Sequence, residues 1–167
     1  MRFPNDNLNA GIWIVCGIAG PLVFGLWLVI TAGPIVPPSQ DILSIRQILE
    51  QTNADRQEHG YEPLTLDQEL SAAARAKLAD MVARDYFAHV SPDGETIWPL
   101  IEKAGYCYVY AGENLAGDFL DEEEQQQAWM DSPTHRANIL SPFYEDIGLA
   151  VSQEPLLAVA VFGVKCG

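Results

Sequence analysis

The sequence predicts an α+β domain that is preceded by one transmembrane helix. Apolar residues recur at helical spacing through the first half of the domain, two apolar runs rich in β-branched residues close the chain, and a stretch without charge precedes both. Helices that come first, with strands in the middle and at the end, are typical of helices packed on an antiparallel sheet. The 167 residues are enough for one domain of ordinary size.

The transmembrane helix is predicted from the charge-free stretch between Asp6 and Asp41. Residues 12–30 within it are strongly apolar, and as a helix they span about 28 Å, close to the roughly 30 Å of a bilayer's hydrocarbon core. Trp13 and Trp27 lie near the two ends, where amphipathic rings prefer the lipid interface. The expected organisation is a short cytoplasmic tail (1–10), a transmembrane helix (11–32), a Pro-rich linker (33–40) and one domain (41–167).

The flanking charges predict on which side of the membrane the domain lies. Arg2 and the α-amino group precede the apolar stretch, and Asp41 follows it, so the positive-inside rule favours a cytoplasmic N-terminus and a periplasmic or extracellular domain. A cleaved secretory signal is the alternative, and the small residues 31–33 permit cleavage. We prefer the anchor, because the apolar core is longer than the roughly 7–15 residues of a signal peptide.

The net charge of −14 lies wholly beyond residue 36, because Arg2 and Asp6 cancel before it. An acidic domain repels a phosphate backbone, so this composition argues against nucleic acid as a partner. The expected partners are the lipid bilayer, through residues 12–30, and other membrane protein subunits. Three small residues offer surfaces for helix packing in the membrane: Gly17, Gly20 and Gly25.

Local signals predict five helices and three strands in the domain. The helices are expected over 41–58, with Gly60 as its stop; over 68–85, capped by Asp67; from Thr96 to Gly105; from Asp121 onwards; and from Ser132-Pro133 onwards. The strands are expected over 106–110, 147–152 and 156–164, with a turn at 153–155. Cys107 and Cys166 lie outside the apolar stretch, and they either pair in an oxidising compartment or stay reduced in a core.

Two histidines lie in polar, turn-forming contexts, and a carboxylate lies between them in the chain. His89 and His135 flank Gly112-Glu113-Asn114, where a glycine just before a carboxylate permits close approach. Two imidazoles and a carboxylate that converge can bind Zn²⁺ with an open position or exchange protons as acid and base. The alternative is that each side chain satisfies local backbone groups.

Four motifs, taken in their order along the chain, resemble those of a known family. They are His89-Val-Ser-Pro, Gly112-Glu113-Asn114-Leu-Ala, Trp129-Met-Asp-Ser-Pro-Thr-His135-Arg-Ala-Asn and Ile147-Gly148-Leu-Ala-Val. Together they resemble the CAP superfamily of cysteine-rich secretory, antigen 5 and pathogenesis-related proteins, and its short bacterial branch more closely. The resemblance covers about residues 42–163.

This resemblance implies an α/β/α sandwich with a small antiparallel sheet and a cleft of two histidines and two acidic residues. In this sequence, Ser132 occupies the position where the family has the second of the two acidic cleft residues. Either the neighbouring Asp131 substitutes for it, or the set of two histidines and two acidic residues is incomplete. The candidate cleft residues are His89, Glu113, His135, Asp131, Ser132 and Asn114. The candidate ligands of a divalent metal, Zn²⁺ or Ca²⁺, are His89, Glu113 and His135.

The resemblance also implies a non-catalytic binding or structural module. With the anchor, it predicts an accessory subunit of a respiratory, photosynthetic or transport complex. Neither Ser91 nor Ser132 lies in a Gly-x-Ser-x-Gly elbow, so no activated nucleophile is evident. Two alternatives stay open: a metal-dependent hydrolase with Glu113 as its base, and a module that binds a lipid or another small apolar ligand.

Overall fold

The computed structural model describes residues 44–119 and 121–167, and these form five helices and four strands. The elements are α1 (Ile45–Glu58), β1 (Thr65–Leu66), α2 (Gln68–Ala83), α3 (Trp98–Lys103), β2 (Tyr108–Gly117), α4 (Glu122–Asp131), α5 (Pro133–Ile139), β3 (Asp146–Gln153) and β4 (Leu156–Lys165). The predicted tail, transmembrane helix and linker lie outside the described residues. Among the helices of the described part, none combines the length and apolarity that crossing a membrane requires.

The described strands form one four-stranded sheet in the order β1-β3-β4-β2. The three long strands pair antiparallel, as the sequence predicts. The short β1, which the sequence did not predict, pairs parallel with β3 and makes the sheet mixed. Strand β4 has neighbours on both sides and is buried along most of its length, which explains its near-continuous apolar run.

Helices cover both faces of this sheet. On one face α2 packs over β3 and β4 and α3 packs against α2, and the core between them includes Leu70, Met81 and Val161. On the other face lie α1, α4 and α5, and the core there includes Trp129 and Phe162. The described residues therefore form the α/β/α sandwich that the resemblance implies, with β2 as one edge of its sheet.

Several elements differ from the predictions in their boundaries or their caps, and the first predicted helix begins at Ile45 instead of residue 41. The strand predicted over 106–110 begins at Tyr108 and continues to Gly117, so Glu113 lies within a strand. Neither Thr96 nor Ser132 donates or accepts a capping hydrogen bond at the start of α3 or α5. Each of these helices has a proline in its first turn, which fixes a helical φ and removes one N–H that would need a partner.

A disulfide joins the two cysteines of the described chain. Cys107, just before β2, is bonded to Cys166, just after β4, with their Cα atoms 5.6 Å apart. The N–H of Cys166 also donates to the carbonyl of Cys107 at 3.1 Å. This crosslink fastens the beginning of the edge strand to the end of the central strand.

Asp67 caps α2, and its negative charge contributes to that role. Its Oδ1 accepts the N–H groups of Glu69 at 2.8 Å and Leu70 at 2.9 Å, and its Oδ2 lies 3.0 Å from Nζ of Lys165. Burial by itself raises the pKa of Asp67, but the N–H of Leu70, Lys165 and the N–H of Glu69 together hold it below its usual value.

Asp67→Ala is expected to lower the free energy of unfolding by about 1–2 kcal/mol at pH 7. Because the folded-state pKa is depressed, the carboxylate's contribution is present at neutral pH and is lost as the pH falls below about 4. Urea unfolding at pH 7 and pH 3 checks this, with Asp67→Asn as a control that keeps the capping oxygen. An equal loss at both pH values would contradict the assigned role of the charge.

Candidate functional site

A cleft of about 310 Å³ opens beside the edge strand β2. The strand contributes Ala111, Gly112 and Glu113, and the segment before α3 contributes the opposite wall. The complete lining is His89, Thr96, Ile97, Trp98, Ala111, Gly112, Glu113 and Asn138. Two residues predicted for the site, His89 and Glu113, therefore meet here.

The carboxylate of Glu113 is the central polar group of the cleft. Its side chain is only 4% exposed, whereas that of His89 is 54% exposed. Nδ1 of His89 lies 2.6 Å from Oε2 of Glu113. The other oxygen, Oε1, is buried and has no hydrogen-bond partner among the described residues. An acceptor in this position favours a ligand that brings a hydrogen-bond donor.

Burial dominates the protonation equilibria of the site. It raises the pKa of Glu113, and the hydrogen bond from His89 and the charges of His89 and Lys77 oppose that rise. Burial also lowers the pKa of His135, and the nearby His89 lowers it further. The rings of His89 and His135 have centroids 6.4 Å apart, so the structure brings the second histidine close to the pair.

Lys77 belongs to the surroundings of the site, and the sequence analysis did not identify it. It is 2% exposed, and its Nζ donates to the carbonyl of His89 at 3.0 Å and contacts the hydroxyl of Tyr86 at 3.3 Å. Burial lowers the pKa of Lys77, and the charge of Glu113 opposes this effect. The available signal was its helical spacing, since Lys77 shares the buried stripe of α2 with Ala74 and Met81.

Two asparagines hold α5 against β2. Nδ2 of Asn138 donates to the carbonyl of Glu113 at 3.2 Å and to Oδ1 of Asn114 at 2.8 Å. Nδ2 of Asn114 donates to the carbonyl of His135 at 3.1 Å. Asn114 therefore positions α5 and does not line the cleft. Asn138, absent from the prediction, follows His135 by three residues and could have been recognised from that helical spacing.

Gly112 allows this close approach, as the sequence predicts. A Cβ atom on Gly112 would lie 2.7 Å from the hydroxyl of Tyr144 and 2.8 Å from Oδ1 of Asn138. A larger residue would therefore require the side chains of Tyr144 and Asn138 to move. Packing and not backbone conformation favours glycine here, since its φ is not in the left-handed region.

Asp131 and Ser132 are not part of the cleft lining. Asp131 ends α4 and accepts a hydrogen bond from Nε2 of Gln127 at 2.9 Å. The hydroxyl of Ser132 lies 3.4 Å from that of Thr134. Both side chains thus make contacts within their own segment, and the structure does not bring a second acidic residue from this position to His89 and Glu113.

The arrangement as it stands does not form a metal site. Within residues 44–119 and 121–167, no three or more His, Cys, Asp or Glu side chains are placed to hold a metal ion. Nδ1 of His89 is already engaged by Oε2 of Glu113. We therefore derive no chemistry through Zn²⁺ or Ca²⁺.

Glu113→Gln is expected to raise the melting temperature at pH 7 by roughly 2–5 °C, because a neutral amide avoids the burial of a charge. The folded-state pKa of Glu113 is raised, so ionisation favours the unfolded state once the pH exceeds about 4. The difference from the wild type should thus vanish near pH 3.5. Thermal unfolding at both pH values tests this, with the exposed Glu123→Gln as the matched control; a lower melting temperature for Glu113→Gln at pH 7 would contradict it.

Sequence comparison identifies relatives of this domain. The sequence model of the CAP family, described as the cysteine-rich secretory protein family, matches residues 49–163. The uncharacterized protein YkwD of Bacillus subtilis is 42% identical over 104 residues, which is 62% of this chain and 40% of that protein. The uncharacterized membrane protein YlbC of the same bacterium is 32% identical over 111 residues, which is 66% of this chain and 32% of that protein. The chain thus spans less than half of each relative.

Solved structures show the same fold. An extracellular protein from Bacillus anthracis that contains an SCP domain superimposes with a TM-score of 0.67 and 29% identity, covering 72% of this chain and 40% of that one. A cysteine-rich secretory protein from Staphylococcus aureus gives 0.65 and 23%, covering 77% and 40%. With the match to the family's sequence model over most of its length, the chain belongs to the cysteine-rich secretory protein family.

Proposed function

We propose that this chain is a membrane-held, extracytoplasmic binding module, and that its cleft binds a ligand without covalent chemistry as part of a larger membrane complex. The observation that carries the proposal is made at Glu113, which lines the open cleft and whose buried Oε1 has no partner among the described residues. Such an acceptor costs free energy until a donor reaches it, so binding relieves the cost.

The serine contacts support binding over nucleophilic catalysis. The hydroxyl of Ser91 accepts the N–H of Glu95 at 3.0 Å, and Ser91 is buried. The hydroxyl of Ser132 faces that of Thr134. A nucleophilic serine needs a base within hydrogen-bond distance, and neither hydroxyl has His89 or His135 as a partner.

An extracytoplasmic location is supported by the chemistry of the cysteines and by the relatives. The Cys107–Cys166 disulfide is typical of an oxidising compartment. One similar structure is of an extracellular protein, and one relative is named a membrane protein. The apolar residues 12–30 would hold the domain at the outer face of the bilayer.

Purification in mild detergent tests the proposal. The full chain, carrying a C-terminal tag, is extracted from its native membranes beside Glu113→Gln and the control Glu123→Gln. We expect defined membrane subunits to co-purify with the wild type and the control and to be depleted with Glu113→Gln. Recovery of the wild-type chain alone, at the size of a monomer, would contradict the proposal.

The hydrolase and lipid-binding alternatives stay predictions. A groove of about 330 Å³ supports the lipid alternative, since Met81, Phe87 and Leu157 line it, although Asp85 and Asp118 line it too. This groove shares no lining residue with the cleft at Glu113.

A further inference from the structure

We propose that the cleft takes an extended peptide segment of a partner protein, which adds as a strand to the free edge of β2 at Ala111 and brings a basic side chain to Glu113. The inference rests on the proposed function and gives its cleft a class of partner. Four features of the described residues support it. They are the direction of the backbone groups on β2, the lack of partners for those of Ala111, the aromatic side chains beside them, and the negative charge of the domain and of Glu113.

The register shows which backbone groups of β2 point away from the sheet. Ala111 faces Gly163 of β4, and the carbonyl of Gly163 accepts the N–H of Glu145 at 3.0 Å on the other side of β4. Two residues that face each other in an antiparallel pair direct their backbone groups either both toward or both away from the partner strand. The N–H and C=O of Ala111 therefore point out from the edge.

Glu113 and Leu115 show that every second residue of β2 directs its backbone groups outward, and they also show where side chains cover the edge. The carbonyl of Glu113 accepts from Asn138, and that of Leu115 accepts from Nε1 of Trp129 at 3.0 Å. No such side chain or strand reaches the outward groups of Ala111 within the described residues. The edge is therefore open at Ala111, next to the cleft, and an open edge is a template for another strand.

Aromatic pairs flank this open edge on both faces of the sheet. The rings of Trp98 and Tyr108 have centroids 6.5 Å apart, and those of Tyr110 and Phe143 are 5.3 Å apart. A register shift lies between Tyr108 and Tyr110. It lets Tyr108 pack on the α2 side while Tyr110 shares the α5 side with Gly112.

An added strand would place successive side chains on opposite faces and would contact one aromatic pair on each. Five of the seven large exposed hydrophobic residues in the described part lie beside this edge or next to His89, and such concentration marks an interaction site. They are Val90, Trp98, Val109, Tyr110 and Phe143.

Charge selects the chemistry of the segment. The acidic residues of the domain give the chain its net charge of −14, and Oε1 of Glu113 needs a donor. A Lys or Arg side chain has the opposite charge and also supplies an N–H donor. Its charge-assisted hydrogen bond to a carboxylate is about twice as strong as a neutral one. The segment that fits is extended, carries side chains that pack on the aromatic pairs, and is basic at one position.

Synthetic peptides test the inference with the full chain in lipid nanodiscs. The probes are fluorescent decapeptides of alternating Thr and Val that carry one central Lys or one central Glu. We expect the Lys peptide to bind at least about tenfold more tightly than the Glu peptide, and Glu113→Gln to remove this preference. Equal binding of the two peptides to the wild type would overturn the assigned charge selection.

Backbone N-methylation tests strand addition itself. Methyl groups on alternate residues of the Lys peptide should weaken binding about tenfold, and methyl groups on the intervening residues should not. Ala111→Pro, which removes the outward N–H at a position where an edge strand tolerates proline, should weaken it similarly. Tolerance of methylation at every position would overturn the proposal even if Ala111→Pro failed to fold.

Side-chain controls separate this inference from the proposed function. Tyr110→Ala should weaken peptide binding about tenfold, whereas Phe87→Ala, which removes a similarly exposed ring near the other end of β2, should not. If membrane subunits co-purify in a Glu113-dependent manner and the peptides do not bind, the peptide inference is wrong while the binding function stands. If no subunit co-purifies with the wild-type chain, the proposed function itself fails.

Discussion

Gly148→Ala is expected to lower the free energy of unfolding by about 3 kcal/mol or more. A Cβ atom on Gly148 would lie 2.1 Å from the carbonyl carbon of Leu70 and 2.3 Å from the backbone nitrogen of Ser71. Both atoms belong to the main chain of α2, so no side-chain rotation can relieve the clash. The helix must move off β3, which would break the hydrogen bond from the N–H of Leu149 to the hydroxyl of Ser71.

Urea unfolding followed by near-ultraviolet circular dichroism measures this loss. Gly94→Ala is a useful control, because Gly94 has a φ of +86° but open space around it. It should cost only the roughly 1–2 kcal/mol of a left-handed backbone. If Gly148→Ala were no more destabilising than Gly94→Ala, the packing of α2 on β3 would have to be looser than described.

Arg56→Met is expected to lower the free energy of unfolding by about 3–5 kcal/mol. Arg56 is 2% exposed, and its guanidinium donates to the carbonyls of Glu62 at 2.7 Å, Ile139 at 2.6 Å and Ser141 at 2.9 Å. A fourth carbonyl, that of Tyr144, lies 3.4 Å away. Arg56 thus joins α1 to the end of α5 and to the segment before β3, and methionine would leave these acceptors without their donor.

Arg56→Lys should recover only part of the loss, because an ammonium group cannot reach carbonyls spread around a planar guanidinium. Arg75→Met, on the exposed side of α2, should change the free energy of unfolding by less than about 0.5 kcal/mol. A small effect of Arg56→Met in the same urea experiment would show that these carbonyls find other donors.

The fold was predictable where a pattern is local. The spacing of Leu70, Ala74 and Met81 predicted α2, and the apolar runs predicted β3 and β4 to within two residues at each end. The short β1 has only Thr65 and Leu66, too few residues to show a period. The extension of β2 to Gly117 was missed because pairing with β4, a long-range interaction, makes a strand of Gly112 and Glu113.

The site was predictable only where single residues carry chemistry. His89 and Glu113 were identified by type and motif, and they form the central pair. Asp131 was proposed from its position in a motif, but its side chain bonds within α4, one turn back. Helical spacing places Lys77 on the buried stripe of α2 and Asn138 one turn after His135, but it does not show which backbone carbonyls their side chains contact.

Site-specific photo-crosslinking tests whether the cleft beside Glu113 holds a partner subunit, as we propose. Benzoylphenylalanine replaces Thr96 in the cleft wall or, as a control, the exposed Gln57 on α1, in the full chain within its native membranes. We expect one adduct of defined larger mass from position 96, weakened by Glu113→Gln, and none from position 57. Irradiation that leaves only the uncrosslinked chain at both positions, or that gives the same adducts from both, would contradict it.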